Sequence, residues 1–356
     1  MRHAIKLAEK GIGFVNPNPL VGAVIVKNGR IIGQGWHQKY GQLHAERNAF
    51  ADCSESAENA DLYVTLEPCC HYGKTPPCTE IIIQNKIKRV FIGSGDPNPL
   101  VAGKGIEILR SHGIEVHENI LKSECDSIND IFFYYITHKQ PFVIMKYAMT
   151  ADGKIATCTG DSKWITSETA RQHTHHLRKR TAAIMVGIGT VLADNPMLDC
   201  RIDNPSNPIR IVCDSNLKIP VDCNLVKTAD KIPVYVACVC SNPEKEKILE
   251  DYGVRIIKTD SDNGRVNLNQ LMKILGGMKI DSILLEGGSQ LNFSALKSGI
   301  VSQVYAYIAP KIFGGCNAKS PVGSIGFEFV KDCIVMQKPS VEILGDDVLL
   351  KYNLKG

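Results

Sequence analysis

The chain has 356 residues, 44% hydrophobic and 22% charged, with a formal net charge of +4; this excludes a disordered or fibrous chain and suits two globular domains. Its basic residues are dispersed, Arg178-Lys179-Arg180 being the densest run, so no nucleic-acid-binding stripe is expected. Thirteen cysteines, an odd number irregularly spaced outside Cys69, Cys70 and Cys78, exclude a small oxidised scaffold and point to reduced thiols in a cytoplasmic protein.

Met1-Arg2-His3 leads into a helical pattern over 2–11, stopped by Gly11 and Gly13, rather than into an apolar leader. No apolar stretch approaches the ~18 residues that would span a bilayer. Ala23 to Val26 and Arg30 to Gly35 read as strands joined by Asn28-Gly29, a strong hairpin signal. A helix over 44–51 follows, then a strand over 62–66 and a Pro- and Cys-rich loop. Next come a helix over 79–85, a strand over 89–93, a helix near 104–111 and a strand near 115–117. A helical segment holding Phe132, Phe133, Tyr134 and Tyr135 leads to Lys139-Gln140-Pro141. That is the expected boundary, giving domains 1–140 and 141–356. Phe142 to Met149 opens a new strand. Strands over 183–186, 209–212, 234–237, 254–257 and 282–285 are interleaved with helices over 243–252, 268–275 and 290–298. Val304 to Pro310 and Val341 to Leu354 look like further strands. Such alternation implies α/β sandwiches around parallel or mixed sheets.

The densest chemistry lies in His44-Ala45-Glu46 and in Pro68-Cys69-Cys70-His71-Tyr72-Gly73-Lys74-Thr75-Pro76-Pro77-Cys78. A catalytic zinc takes three protein ligands and keeps a fourth position for water, whose pKa falls to about 7 there. One imidazole and two thiolates fill the three places, and a glutamate two residues from the histidine shuttles protons without ligating. This combination is the signature of zinc deaminases of nucleobases, which usually leaves two residues between its cysteines. Here eight separate Cys69 from Cys78. Cys70 in place of Cys69, or recruitment of His71, are alternatives; Cys69 is preferred because it directly follows Pro68. A structural zinc with four protein ligands would leave Glu46 without a role.

Residues 142–356 offer no metal cluster or nucleophile triad, and no Gly-x-Gly-x-x-Gly follows a strand. His173, His175 and His176 have no carboxylate or cysteine at ligand spacing and read as helix surface or pocket lining. Glycine and polar clusters at strand ends stand out instead. Ile283-Leu284-Leu285-Glu286-Gly287-Gly288-Ser289 runs from a buried strand through glycines into a helix whose amides can hold a phosphate. Gly187 to Pro196 reads as a polar loop. Asp161 to Ser167 reads as another, leading to a helix capped by Thr166 or Ser167.

Asn16 to Val24, Gly35-Trp36-His37, His44-Ala45-Glu46, Thr65 to Cys69 and the loop His71 to Cys78 resemble the deaminase of riboflavin biosynthesis, and that loop accounts for the long spacer. Lys146 to Lys154, the Trp164 segment, Val191 to Pro196, Glu286-Gly287-Gly288 and Ala309 to Gly315 resemble the reductase half of the same bifunctional family. The resemblance implies a cytidine-deaminase-like α/β/α sandwich followed by a dihydrofolate-reductase-like α/β domain. It implies Zn2+ on His44, Cys69 and Cys78, Glu46 as proton shuttle, and a pocket lined by Asn18, His37, Lys74, Asp96 and Asn98. In the second domain it implies NADPH contacts at Ala148, Trp164, Thr190, Asp194, Ser215 and Gly288. Substrate contacts are implied at Lys146, Ser162, Arg178, Leu198, Arg201 and Glu286, with Arg178 and Arg201 suited to clamp a phosphate. The family often has serine at the position of Cys70, which marks Cys70 as a non-ligand. It commonly has threonine after Leu198, where this chain has Asp199, a carboxylate able to pair with Arg201.

The implied reactions are hydrolytic deamination of a diaminopyrimidinone carrying a phosphoribosylamino group, then NADPH-dependent reduction of its ribosyl group to a ribityl chain. The expected partners are this phosphorylated pyrimidine and further copies of the chain in a homo-oligomer, with no nucleic acid and no membrane. A nucleoside or tRNA deaminase with a non-catalytic appendage is disfavoured by the Tyr72 to Pro77 loop and the reductase-like clusters. A zinc-stabilised binding protein is distinguished by Glu46, for which it has no use.

Overall fold

The computed structural model describes residues 1–73, 76–98 and 101–354, and the chain divides into two units, Met1–Lys139 and Gln140–Gly356. The first runs α1 (Arg2–Ala8), β1 (Gly22–Lys27), β2 (Arg30–Trp36), α2 (Ala45–Ala51), β3 (Asp61–Leu66), α3 (Cys78–Gln84), β4 (Arg89–Ser94), α4 (Lys104–Ser111), β5 (Glu115–His117), α5 (Lys122–Ile128) and α6 (Asp130–His138). Its sheet has the order β2-β1-β3-β4-β5. β1 is antiparallel to β2 and β3, while β3, β4 and β5 are parallel. The hairpin turns on Asn28 and Gly29, at φ of 51° and 74°, as a two-residue type I′ turn requires.

Successive side chains of β1 go to opposite faces. Ala23 and Ile25 join Ala45, Ala49, Ile82 and Leu109 of the α2, α3 and α4 layer, whereas Val24 packs with Ala4 and Leu7 of α1. α2 lies directly on β2 because Gly35 carries no side chain: a Cβ there would stand 2.4 Å from the Ala49 nitrogen and 2.7 Å from the Ala45 oxygen. The start of α2 is thereby held at the carboxyl end of β2.

The second unit runs β6 (Phe142–Thr150), α7 (Glu168–Arg180), β7 (Ala183–Gly187), α8 (Ile188–Asp194), β8 (Ile209–Cys213), α9 (Asn224–Lys227), β9 (Val234–Cys238), α10 (Pro243–Asp251), β10 (Arg255–Lys258), β11 (Ser261–Asp262), β12 (Arg265–Val266), α11 (Leu268–Gly277), β13 (Ser282–Leu285), α12 (Ser289–Lys297), β14 (Gln303–Ala309), β15 (Ser340–Leu344) and β16 (Asp347–Asn353). Its large sheet has the order β10-β9-β8-β7-β13-β6-β14-β16-β15. The strands from β10 to β14 are parallel, and β16 and β15 close the far side antiparallel. One face packs Val143, Met145, Met185 and Leu285 against Leu271 and Leu275 of α11 and Ala295 of α12. The other packs Ile184, Val186 and Val212 against Leu225 of α9 and Leu249 of α10.

Two local expectations meet the structure differently. Ser167 is the cap of α7, its Oγ accepting the Ala170 N–H at 3.3 Å. The segment after β7, read as a polar loop, instead forms α8. Val191 in its middle is buried beside Ile184 and Val186, and this anchoring outweighs the loop-like composition of its glycines and its Asp-Asn-Pro end. Among the described residues no helix is long and apolar enough to cross a membrane.

Candidate active sites of the two units

At the carboxyl edge of the first sheet, His44 immediately precedes α2, Cys69 follows β3 and Cys78 opens α3. His44 Nδ1 lies 3.4 Å from Cys69 Sγ and 3.4 Å from Cys78 Sγ. The three donor atoms fall within 4.8 Å of one another. Ordinary Zn–N and Zn–S bonds at tetrahedral angles separate such atoms by about 3.5 Å, so donor set and spacing fit zinc. Cys70 and His71 stand outside this group among the described residues. The hydrogen bond with Cys78, with His44 alongside and against the effect of burial, holds the Cys69 sulfur down to about 4, while Cys78 is pushed up.

Glu46 sits in the first turn of α2, 3% exposed. Burial, then the neighbouring Cys69, raises its carboxyl above the usual range. His37 is also buried, and burial lowers its pKa. Its Nδ1 donates to the Leu43 carbonyl at 3.0 Å, which assigns Nε2 as the acceptor for Asn18 Nδ2 at 3.1 Å. Asp96 Oδ1 accepts the Asn98 N–H at 2.8 Å, and burial pushes Asp96 up to about 6. Lys74 lies outside the described residues.

Two buried polar residues that the sequence reading did not assign hold these loops. Asn129 grips the backbone of Leu20, accepting its N–H at 2.8 Å and donating to its carbonyl at 2.9 Å, and so anchors the loop of Asn18. Glu67 turns its carboxylate toward the loop of Asp96 and the start of α4. An isolated Asn at a helix junction carries no sequence signal that separates it from a surface residue.

In the second unit the parallel strands present their carboxyl ends at one edge, where α/β sheets place ligands. Lys146 and Ala148 come from β6, Thr190 and Asp194 from α8, Ser215 from the loop after β8, and Glu286 and Gly288 from the loop after β13. Arg178 and Glu286 pair side by side, Nε to Oε1 at 3.0 Å and Nη2 to Oε2 at 2.9 Å, and Arg178 Nη1 donates to the Asp199 carbonyl at 2.9 Å. The guanidinium read as a phosphate clamp is thus already held on two sides. Burial alone would raise Glu286, but Arg178 and Lys146 bring it down to about 2. Lys146 Nζ stands 5.4 Å from the centre of the Tyr307 ring, and burial lowers its pKa against the pull of Glu286.

Arg201 does pair with Asp199, Nη1 to Oδ1 at 2.6 Å. Leu198 is buried with a φ of 54°. Ser162 is half-buried, and Trp164 is 63% exposed with the Arg171 guanidinium 4.6 Å over its ring. Ser215 Oγ accepts the Val266 N–H at 3.1 Å. His173 lies 2.6 Å from the Tyr307 hydroxyl and His175 accepts the Arg201 N–H at 3.2 Å, so these histidines are engaged in packing around α7. A Cβ on Gly288 or Gly189 would meet nothing within 4 Å. Both therefore border open space beside a helix start, a setting that fits a dinucleotide phosphate.

The family profile "Cytidine and deoxycytidylate deaminase zinc-binding region" matches residues 1–94, and the profile "RibD C-terminal domain" matches residues 141–350. The riboflavin biosynthesis protein RibD of Actinobacillus pleuropneumoniae is 54% identical over 352 residues, covering 99% of this chain and 94% of that protein. Its namesake from Aquifex aeolicus is 41% identical over 354 residues, covering 99% and 97%. Among solved structures, the diaminohydroxyphosphoribosylaminopyrimidine deaminase/5-amino-6-(5-phosphoribosylamino)uracil reductase of Thermotoga maritima superposes with a TM-score of 0.88 at 39% identity, covering 100% of this chain and 97% of that one. The chain therefore belongs to the bifunctional RibD deaminase/reductase family of riboflavin biosynthesis, with a zinc-binding, cytidine-deaminase-like unit followed by a dihydrofolate-reductase-like unit that uses NAD(P)H.

Proposed function

We propose that the first unit hydrolytically deaminates a diaminopyrimidinone carrying a phosphoribosylamino group, and that the second reduces the ribosyl group of the resulting aminouracil to a ribityl chain with NADPH. The observation that carries this reading is the meeting of His44, Cys69 and Cys78 beside the buried Glu46. Zinc in that triad supplies a water acidic enough to act as nucleophile near neutral pH. Glu46 takes the proton and passes it to the ring nitrogen, then to the departing ammonia; a raised pKa suits a group that must both accept and donate. Asn18 presents an amide donor and acceptor for the base edge, and neutral His37 orients it. Asp96, Asn98 and Lys74 complete the pocket, Lys74 offering a charge for the phosphate.

In the second unit NADPH supplies the hydride. Ala148, Trp164, Thr190, Asp194, Ser215 and Gly288 hold the cofactor; Lys146, Ser162, Arg178, Leu198, Arg201 and Glu286 hold the substrate. Hydride transfer needs orientation and exclusion of water from the protein more than a strong acid, and the half-buried Lys146, Glu286 and Arg178 offer oriented charge. The division of labour falls between residues 140 and 141, and the enzyme works as a cytoplasmic homo-oligomer. Supporting assembly, β15 exposes Val341 and Ile343 at the sheet margin, and Ile325 is 98% exposed, apolar surface of the kind that subunits cover.

The test is to incubate the purified protein with the diaminopyrimidine phosphate, with and without NADPH, following ammonia and NADPH oxidation separately. Ammonia should appear without NADPH, and NADPH oxidation should depend on prior deamination. Oxidation at full rate before any ammonia is released would overturn the order. Light scattering after size-exclusion chromatography reads the assembly.

A further inference from the structure

Glu67 joins the end of β3 to Pro68 and Cys69, is 4% exposed, and has no part in the chemistry above. Its carboxylate faces four backbone N–H groups. Oε2 accepts from Gly103 at 3.0 Å and from Asp96 at 3.4 Å, while Oε1 accepts from Gly105 at 3.0 Å and from Ile106 at 3.4 Å. A carboxylate on amide donors at a helix start makes charge-assisted hydrogen bonds and meets the positive end of the helix dipole. An apolar side chain of equal size would leave those donors facing hydrocarbon.

The network continues toward the pocket. Asp96 Oδ1 accepts the Asn98 N–H at 2.8 Å, and the Asn98 carbonyl accepts from Val101 at 2.8 Å and from Ala102 at 3.0 Å. The Glu67 N–H donates to the Ser94 carbonyl at 2.9 Å, tying the ends of β3 and β4. Gly105 brings α4 against the same peptide: a Cβ there would stand 2.3 Å from the Pro68 oxygen. One side chain therefore gathers the loop after β4, the start of α4 and the segment leading to the metal ligand Cys69.

We propose that Glu67 is a positioning residue for deamination: by joining the amides of Asp96, Gly103 and Gly105 it sets Asp96 and Asn98 at a fixed place relative to Cys69, and so fixes where the pyrimidine lies. This rests on the reading of Asp96 and Asn98 as substrate contacts. Glu67 acts through the loop and supplies no proton or ligand, so its loss falls on substrate binding before it falls on turnover.

The test is Glu67→Gln in the full-length zinc-loaded protein. The amide keeps the volume but turns an NH2 toward N–H donors that a carboxylate oxygen had accepted. KM for the diaminopyrimidine phosphate should rise about tenfold or more, with kcat little changed and one zinc per chain retained. Amide hydrogen exchange at Gly103 and Gly105 should accelerate. Glu67→Asp, which keeps both acceptors on a shorter stem, should recover part of the KM loss, and it carries the same test where Glu67→Gln fails to fold. An unchanged KM in folded, zinc-loaded Glu67→Gln overturns the proposal. So does a joint fall of kcat, zinc content and melting temperature, the mark of a purely structural role. Asp96→Asn and Asn98→Ala separate the two layers of the argument. If both keep the wild-type KM, the reading of the loop as a substrate contact fails and takes the Glu67 proposal with it; if both raise KM while Glu67→Gln does not, the role of Glu67 alone fails.

Discussion

The guanidinium of Arg178 lies edge to edge with the carboxylate of Glu286, at 3.0 and 2.9 Å, and both side chains are largely withdrawn from water. Removing one partner of a buried pair strands the other, at a cost of about 3–5 kcal/mol. Glu286→Ala should therefore destabilise the second unit by that order and abolish NADPH oxidation while ammonia release survives. Lys146→Ala leaves the pair intact and should impair reduction with a smaller change in melting. Measuring the two activities and thermal unfolding on the same preparations checks both.

The acid response follows from the same carboxylate. Glu286 sits at about 2, below the ~4.3 of an unfolded chain. Its folded-state pKa is depressed, so its stabilisation is complete above about 4.3 and is lost as the pH falls toward about 2. The wild-type second unit should lose melting temperature across that window. Glu286→Gln should start lower and change less with pH, and parallel curves for the two proteins would contradict the assignment.

The metal site predicts an unequal outcome for adjacent cysteines. Cys69→Ser should lose most of the zinc, as should His44→Ala and Cys78→Ser, whereas Cys70→Ser should retain about one ion per chain. Elemental analysis after desalting decides it. Zinc retained in Cys69→Ser and lost in Cys70→Ser would transfer the ligand role to Cys70.

Glu46→Ala should cut deamination by ~10²–10⁴, toward the upper end if, as proposed, the same carboxylate serves successive transfers. Zinc content should hold, and reduction of supplied deaminated product should stay near wild type. A folded, zinc-loaded variant that still deaminates at a near-normal rate would remove Glu46 from the mechanism.

Gly288 and Gly287 are neighbours with opposite expectations. A methyl group on Gly288 meets no atom within 4 Å, while one on Gly287 stands 2.7 Å from Asn292 Oδ1. Gly288→Ala should melt like wild type yet raise KM for NADPH if, as proposed, the open space beside it takes the cofactor. Gly287→Ala should instead lower the melting temperature. Steady-state kinetics with varied NADPH, paired with melting curves, tests the contrast.

What was legible in the sequence was whatever lay close together along it. The Asn28-Gly29 turn, the His44-Ala45-Glu46 triplet and the Pro68-Cys69 step are contiguous signals, each with a chemistry of its own. The alternating strands of both units were readable because buried parallel strands such as Ser282–Leu285 are short apolar runs. Glu67 was visible in its motif but not its purpose, since its partners lie 29 to 39 residues away. Arg210 was equally silent. It is fully buried on β8 and spends its guanidinium on the carbonyls of Met197, Leu225, Thr228 and Ile232, while on paper it was one polar residue in an apolar run. The engagement of Arg178 by Glu286 spans 108 residues, and no local pattern announces it.

Asn129 grips Leu20 from the junction of α5 and α6, well beyond residue 94, where the match to the deaminase zinc-binding region stops. A gene fragment cut at that point would encode all three metal ligands and still leave the Asn18 loop without its clasp. The transplantable deaminase is accordingly longer than its recognisable motif, and a graft or truncation must carry the chain at least through Asn129 to keep the anchor of that loop.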